Sequence, residues 1–291
     1  MRKLFIKKLI ELSIKKKNIY LVINDLGFNV VEPFKNKFPK KFFNVGVAEQ
    51  NLMGISAGIA SEKAHVFSYS IANFNTFRCA EQIRNDIDYH LLPVTIVSVG
   101  SGVGYGNLGY SHHAVQDYTL MRSFPNMLIL SPGNENELIN IMDFIVQNPQ
   151  PSYLRLDKDE NLKNEKIKKN TLKPGKIYRV VDGSKQNVII TTGKTQEIAI
   201  KLTQKKYRGY SVFSAPIWGM NSRKIFYSSI KKFKKIVTIE DHFYSGGFGS
   251  WVNEILNLKN SKIHLNSEFI SNKSMYDVGS KKYLMEKYGP K

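Results

Sequence analysis

The sequence predicts an α/β protein built from two doubly wound domains, and three observations carry that prediction. Short apolar runs of strand length alternate with helix-like segments along nearly the whole chain. Several of those runs are apolar throughout, as expected of parallel strands covered on both faces. The alternation stops once, in a polar Lys- and Asn-rich stretch at 157–171, and then restarts. The expected organisation is a first domain at 1–160, a linker at 161–185 and a smaller second domain at 186–291. A chain of 291 residues can bury cores for both.

The first ten residues, interrupted by Lys3, Lys7 and Lys8, read as an amphipathic helix and not as a signal peptide. A strand at 19–23 ends in polar Asn24 and Asp25. A second at 42–45 leads into Gly46-Val47-Ala48-Glu49-Gln50-Asn51-Leu52-Met53-Gly54, which opens a helix running to about residue 61. Gly54 and Gly58 lie inside that helix, where each costs about 1 kcal/mol against Ala, so close packing is expected of them. Glu49 stands in the first turn, where the helix dipole favours negative charge. It is either a buried capping acid or a catalytic acid in a dry site, and these residues alone leave both open. The first domain continues as strand 64–69, helix 73–89, strand 93–99, a Gly-rich loop at 100–109, helix 114–122, strand 127–130, helix 135–146 and strand 152–156. In the second domain strands at 187–191, 210–214, 235–240 and 262–265 alternate with helices, the last near 280–288. Parallel sheets of this kind carry their sites beyond the C-terminal ends of the strands.

Composition narrows the function classes. The formal net charge is +19, from 43 Lys and Arg against 24 Asp and Glu. The charge is mostly scattered Lys, with no Arg-aromatic stripe or recognition helix, so a solvated Lys-biased surface is expected and no nucleic-acid site. No apolar run approaches the roughly 20 residues that span a bilayer. Cys79 is the lone cysteine, which points to a reducing compartment and a core thiol; the expected location is cytoplasmic.

The candidate chemistry lies in a few loops. The loop at 100–109 lacks the P-loop Gly-Lys-Ser/Thr and opens no helix at dinucleotide-binding spacing, so positive φ angles explain it as well as a phosphate does. His112 and His113 follow it without metal-ligand spacing, and suit proton handling better than a metal. Phe74 and Phe77 lie one turn apart beside Arg78; such a pair is usually core, but a face on a crevice would suit a heteroaromatic ring. Glu240-Asp241-His242 before Gly246-Gly247-Phe248-Gly249 reads as an acidic strand end under a helix that starts close to the sheet.

Taken in order, these stretches resemble the second half of the transketolase family, which depends on thiamine diphosphate. The match rests on Phe42-Phe43-Asn44-Val45-Gly46-Val47-Ala48-Glu49-Gln50-Asn51, on Glu81-Gln82-Ile83-Arg84, on Ser111-His112-His113 and on Met121-Arg122-Ser123-Phe124-Pro125-Asn126-Met127. The tail, with Ile239-Glu240-Asp241-His242, is similar to the C-terminal domain of the same superfamily. The resemblance implies a pyrimidine-binding domain followed by a smaller transketolase C-terminal-like domain. It gives Glu49 a hydrogen bond to the cofactor's aminopyrimidine nitrogen and Phe74 a stack on that ring. Phe77 stands near a further aromatic position, and Asp25 matches an acidic residue near the cofactor. His112 matches a histidine at the reacting end of the substrate, with His113 beside it, and Arg155 one that often binds a sugar phosphate.

Departures from the family pattern point to the substrate. Gly106-Asn107-Leu108-Gly109 replaces the usual Gly-Glu-Asp-Gly, Gly100 stands for a phosphate-binding His, His113 for a Gln and Ile71 for a Phe. Losing such partners argues for a non-standard sugar substrate. The family's Gly-Asp-Gly module, which holds the diphosphate through Mg²⁺, has no counterpart here. The resemblance therefore implies a separate diphosphate-binding partner subunit, Mg²⁺ held by that partner, and an α2β2 heterotetramer. The expected activity is transfer of a two-carbon ketol unit from a ketose to an aldehyde. Alternatives are the beta subunit of a 2-oxoacid dehydrogenase-like enzyme, a deoxyxylulose-phosphate-synthase-like half, or a non-catalytic basic binding protein on the same fold.

Overall fold

The computed structural model describes residues 1–158 and 171–291. The first half runs α1 (Arg2–Lys15), β1 (Ile19–Ile23), α2 (Glu32–Lys37), β2 (Phe42–Asn44), α3 (Glu49–Ser61) and β3 (His65–Ile71). It continues through α4 (Phe74–Phe77), α5 (Ala80–Gln82), β4 (Val94–Val99), α6 (Asp117–Met121), β5 (Leu128–Leu130), α7 (Glu135–Gln147) and β6 (Ser152–Leu156). The second half holds β7 (Tyr178–Val181), β8 (Asn187–Thr191), α8 (Gln196–Leu202), β9 (Ser211–Ser214), β10 (Ile217–Trp218) and α9 (Arg223–Ile230). It ends with β11 (Lys235–Ile239), α10 (Phe248–Leu258), β12 (His264–Glu268) and α11 (Lys281–Tyr288).

Two sheets result, as expected. The seven-stranded one is ordered β10-β5-β6-β4-β3-β1-β2, and all its pairs are parallel except β10 with β5. The five-stranded one is ordered β12-β11-β8-β9-β7, antiparallel only where β7 meets β9. The central strands β4 and β6 are buried along their length; β4 is apolar but for Thr95 and Ser98, whereas β6 also carries Ser152 and Arg155 into the interior.

Three local features differ from the sequence reading. The strand β10 comes from the second half yet closes the edge of the first sheet, pairing Ile217 with Leu130 and Trp218 with Ile129. Two residues carry no periodic signal. The strand β7 lies inside the stretch expected to be a linker and forms an edge of the second sheet, its half-buried pattern masked by Arg179. Residues 161–170 of that expected linker lie outside the described residues. The helix expected over 73–89 is broken: α4 ends at Phe77, Cys79 leaves helical geometry at φ −129° and ψ 27°, and a π-helical turn spans Ile83–Asp88. Such turns concentrate at functional sites.

The core crosses between the halves. Trp218 meets the rings of Tyr118, Phe248 and Trp251 at centroid distances of 5.1, 5.2 and 5.1 Å. On the other face of the first sheet α1 and α7 pack Phe5, Leu9, Leu138 and Ile145. Cys79 is buried, and desolvation pushes its thiol up to about 12, so it is an inert core residue. Among the described residues no helix is long and apolar enough to cross a membrane, and no His, Cys, Asp and Glu cluster could hold a metal.

Candidate active site

The C-terminal ends of β1, β2, β3 and β4 carry most of the residues that the sequence singled out. After β2 the chain turns through Gly46, whose φ of +74° needs glycine, and enters α3 with Glu49 as its first residue. Asn24, at the end of β1, donates its side-chain amide to the Gly46 carbonyl at 2.9 Å and fixes that turn. Glu49 is 5% exposed, and Arg78 Nη1 lies 3.1 Å from its Oε1. The guanidinium of Arg78 also sits over the Phe74 ring, 4.0 Å from its centre. Phe74 in turn meets His112 at 4.8 Å in an edge-on contact. Asn73 donates to the Ser111 carbonyl at 2.8 Å and ties the start of α4 to the His112 loop. Glu49, Arg78, Phe74 and His112 thus form one continuous cluster.

His112 shares a hydrogen bond with Ser111 Oγ through Nδ1 at 2.9 Å. Desolvation, and secondarily the Arg78 charge, lowers its pKa, so the imidazole is neutral near pH 7 and able to take or give a proton. His113 is buried, and desolvation lowers its pKa too. Asp25 is exposed at φ +45° and exchanges hydrogen bonds with Asn44: its N–H donates to Oδ1 and its carboxylate accepts from Nδ2, both at 2.9 Å. That pair joins the ends of β1 and β2. Phe77 faces elsewhere, 45% exposed on the wall of a groove of about 1230 Å³ that Tyr244 and Phe269 also line.

Arg155 also stands apart from the Glu49 cluster. It is 2% exposed at the end of β6, and its donors are taken within the protein. Nε and Nη2 donate to the Asp117 carboxylate at 2.6 and 3.4 Å, Nη1 to Asp241 Oδ1 at 2.5 Å, and Nη2 to the Ala114 carbonyl at 2.7 Å. Arg155 therefore bridges the two halves, and no N–H is left for a sugar phosphate in this arrangement. Asp117 lies four residues after His113 in the chain, and no local pattern links it with Asp241 across the halves. Gly102 faces the same junction at φ +58°, where a Cβ would come within 2.8 Å of Asp241 Oδ2. Space and backbone conformation account for this glycine of the Gly-rich loop.

The Glu240-Asp241-His242 segment behaves as an acidic strand end. Glu240 accepts from the N–H groups of Phe248 and Gly249 at 2.6 and 2.8 Å, capping α10. His242 is fully buried, and desolvation pulls its pKa down to about 4 from 6.5. As pH falls, the unfolded chain protonates this residue first. The stability it contributes is whole above pH 6.5 and is lost as pH falls towards 4, about 3 kcal/mol in all. Urea unfolding of wild type and His242→Gln should show the wild type losing ground by that amount across this window. A pH-independent difference between them excludes the effect.

The family model described as transketolase, pyrimidine binding domain, matches residues 1–162. The chain belongs to the transketolase family. It is 36% identical over 278 residues to a protein called putative transketolase C-terminal section in Methanocaldococcus jannaschii, covering 92% of this chain and 87% of that one. It is 30% identical over 264 residues to an apulose-4-phosphate transketolase subunit of Actinobacillus succinogenes, covering 89% and 84%. Among solved structures, one described as a split gene transketolase, inactive beta4 tetramer, superposes with a TM-score of 0.84 at 29% identity, covering 99% of this chain and 93% of that chain. The fold of the Leishmania mexicana transketolase is shared at a TM-score of 0.74 and 18% identity, over 42% of that chain.

The family depends on thiamine diphosphate, and the cluster fits the aminopyrimidine end of that cofactor. The Arg78 guanidinium, a flat cation bearing N–H groups, already stacks on Phe74 and pairs with Glu49. A planar heterocycle offering an N–H edge and a π face would satisfy the same two groups. Glu49, at the start of α3 and 5% exposed, presents its carboxylate to that cluster.

Proposed function

We propose that this chain is the pyrimidine-binding subunit of a split transketolase-like enzyme, transferring a two-carbon ketol unit from a ketose to an aldehyde. The observation that carries the reading is the convergence of Glu49, Phe74 and His112, from three separate strand ends, on one cluster. Thiamine diphosphate, when bound, supplies the carbon nucleophile that breaks and forms the carbon–carbon bonds. Phe74 orients the ring, Glu49 holds a proton at its nitrogen edge, and neutral His112 passes a proton to or from a substrate oxygen. Two of the relatives that match along most of their length are described as a C-terminal section and as one subunit of a transketolase, which supports a partner chain that binds the diphosphate and Mg²⁺. We place the pair in an α2β2 assembly, in the cytoplasm. An open face supports the partner: Val47 is 75% exposed, and added Cβ atoms at Gly54 and Gly58 would meet nothing within 4 Å. The close packing expected of these glycines is thus absent among the described residues, and the face they leave could take a helix of another polypeptide.

The substrate is a sugar that Arg155 does not bind through phosphate, since the network above occupies that guanidinium. Co-expression with a neighbouring reading frame that carries a Gly-Asp-Gly…Asn motif tests the assembly. The complex should bind thiamine diphosphate with Mg²⁺ and transfer glycolaldehyde units from a ketose, while the isolated chain should do neither. Tight cofactor binding by the isolated chain would overturn the split-subunit reading. Rapid turnover of xylulose 5-phosphate with ribose 5-phosphate would overturn the non-standard substrate. A second reading follows from 32% identity over 231 residues to 1-deoxy-D-xylulose-5-phosphate synthase of Halothermothrix orenii, covering 77% of this chain but 35% of that one. Release of CO₂ from pyruvate by the complex would favour it.

A further inference from the structure

Arg78 is the residue on which the candidate site converges, and no sequence motif marked it. Its guanidinium spans the acid and the aromatic at once: 3.1 Å from Glu49 Oε1 and 4.0 Å from the centre of the Phe74 ring. The acid is nearly enclosed while the Arg78 side chain is half exposed, so the cation covers the carboxylate from the solvent side. Each contact has its own chemistry. A carboxylate shielded from water requires a charged or hydrogen-bonding partner, and a planar guanidinium stacks on an aromatic face as well as pairing with an acid.

A ring that stacks on the face of Phe74 under Arg78 and donates to Glu49 Oε1 needs the same two surfaces, so it and the guanidinium exclude each other. We propose that Arg78 is a displaceable latch: it occupies Glu49 and Phe74 in the isolated chain and must leave both before a flat heteroaromatic ring enters. The proposal rests on the reading of Glu49 and Phe74 as ring-binding residues. Arg78 is placed to move. It sits at the break between α4 and α5, where Cys79 departs from helical geometry, and its head group borders a cleft of about 470 Å³ lined by residues 48–51. A half-exposed ion pair of this kind holds only weakly, which suits a contact that opens. The closed population lowers the apparent affinity for the ring by the fraction of molecules that must open. The latch also protects a carboxylate that would otherwise face the cleft without a counter-charge.

The test uses the chain in complex with its diphosphate-binding partner and thiamine diphosphate with Mg²⁺ as the probe, followed by calorimetry. Arg78→Gln should bind the cofactor several-fold more tightly than wild type. Arg78→Lys keeps the charge but loses the planar stack and should fall between. In the isolated chain, nuclear magnetic resonance of the ring protons should find His112 titrating at higher pH in Arg78→Gln, because a nearby cation has gone. Equal or weaker cofactor binding by Arg78→Gln, with Glu49→Gln still weakening it, overturns the latch and leaves the ring-binding reading standing. Unchanged cofactor affinity in Glu49→Gln overturns that reading and the latch with it.

Discussion

Glu49→Gln should lower the turnover of the assembled enzyme by about 10²–10⁴-fold while leaving the fold intact. The amide keeps the size of the side chain and one hydrogen-bonding oxygen, but it cannot carry a negative charge or exchange a proton with a ring nitrogen. Little else depends on it structurally: Ala48, not Glu49, is the N-cap of α3, and the Glu49 ion pair is with half-exposed Arg78. A capping role would predict the reverse, a loss of thermal stability with turnover preserved. The experiment therefore decides between the two readings that the sequence left open. Circular dichroism and thermal unfolding establish that the variant folds, and steady-state turnover of the complex reads the effect. Activity within tenfold of wild type, in a folded variant, would remove Glu49 from the chemistry.

The second large effect is expected away from that cluster, at the junction of the two halves. Arg155→Met should destabilise the chain by about 3–5 kcal/mol, because it leaves two carboxylates enclosed without their cation. Asp117 is fully buried and Asp241 is 5% exposed. The Arg155 guanidinium also lies over Tyr118, 4.4 Å from the ring centre, so its loss removes packing as well as charge. Urea unfolding followed by near-ultraviolet circular dichroism would report the loss through the aromatic cluster around Trp218. Adding Asp117→Asn to Arg155→Met should recover part of the stability, since one orphaned charge disappears. If Arg155 served instead to bind a sugar phosphate, its removal would raise KM with little change in stability. The hydrogen bonds that fill its donors argue for the first outcome.

How much of this was legible in the chain can be judged from individual residues. The alternating strands and helices were plain because a parallel sheet buried on both faces leaves mostly apolar runs, as at 19–23 and 94–99. The elements that were missed were short or half-exposed. Two-residue β10 has no period to detect, and β7 is a half-exposed edge strand inside a polar stretch, without clean alternation. The expected 73–89 helix failed at Cys79, where sequence propensity gave no warning and the tertiary fold bent the chain.

The site divides in the same way. The sequence by itself determined that Glu49 opens a helix after a strand, that Phe74 lies beyond the next strand and that His112 follows a Gly-rich loop. Those placements come from local pattern and from the resemblance, because each residue sits at a fixed offset from the end of its own strand. Only the tertiary structure decided which of them meet. It brought Arg78 onto both Glu49 and Phe74, turned Phe77 towards a different groove and locked Arg155 between two acids, one of them 86 residues further along the chain. Side-chain partnership depends on how strands twist and how domains dock, and neither is written in local periodicity.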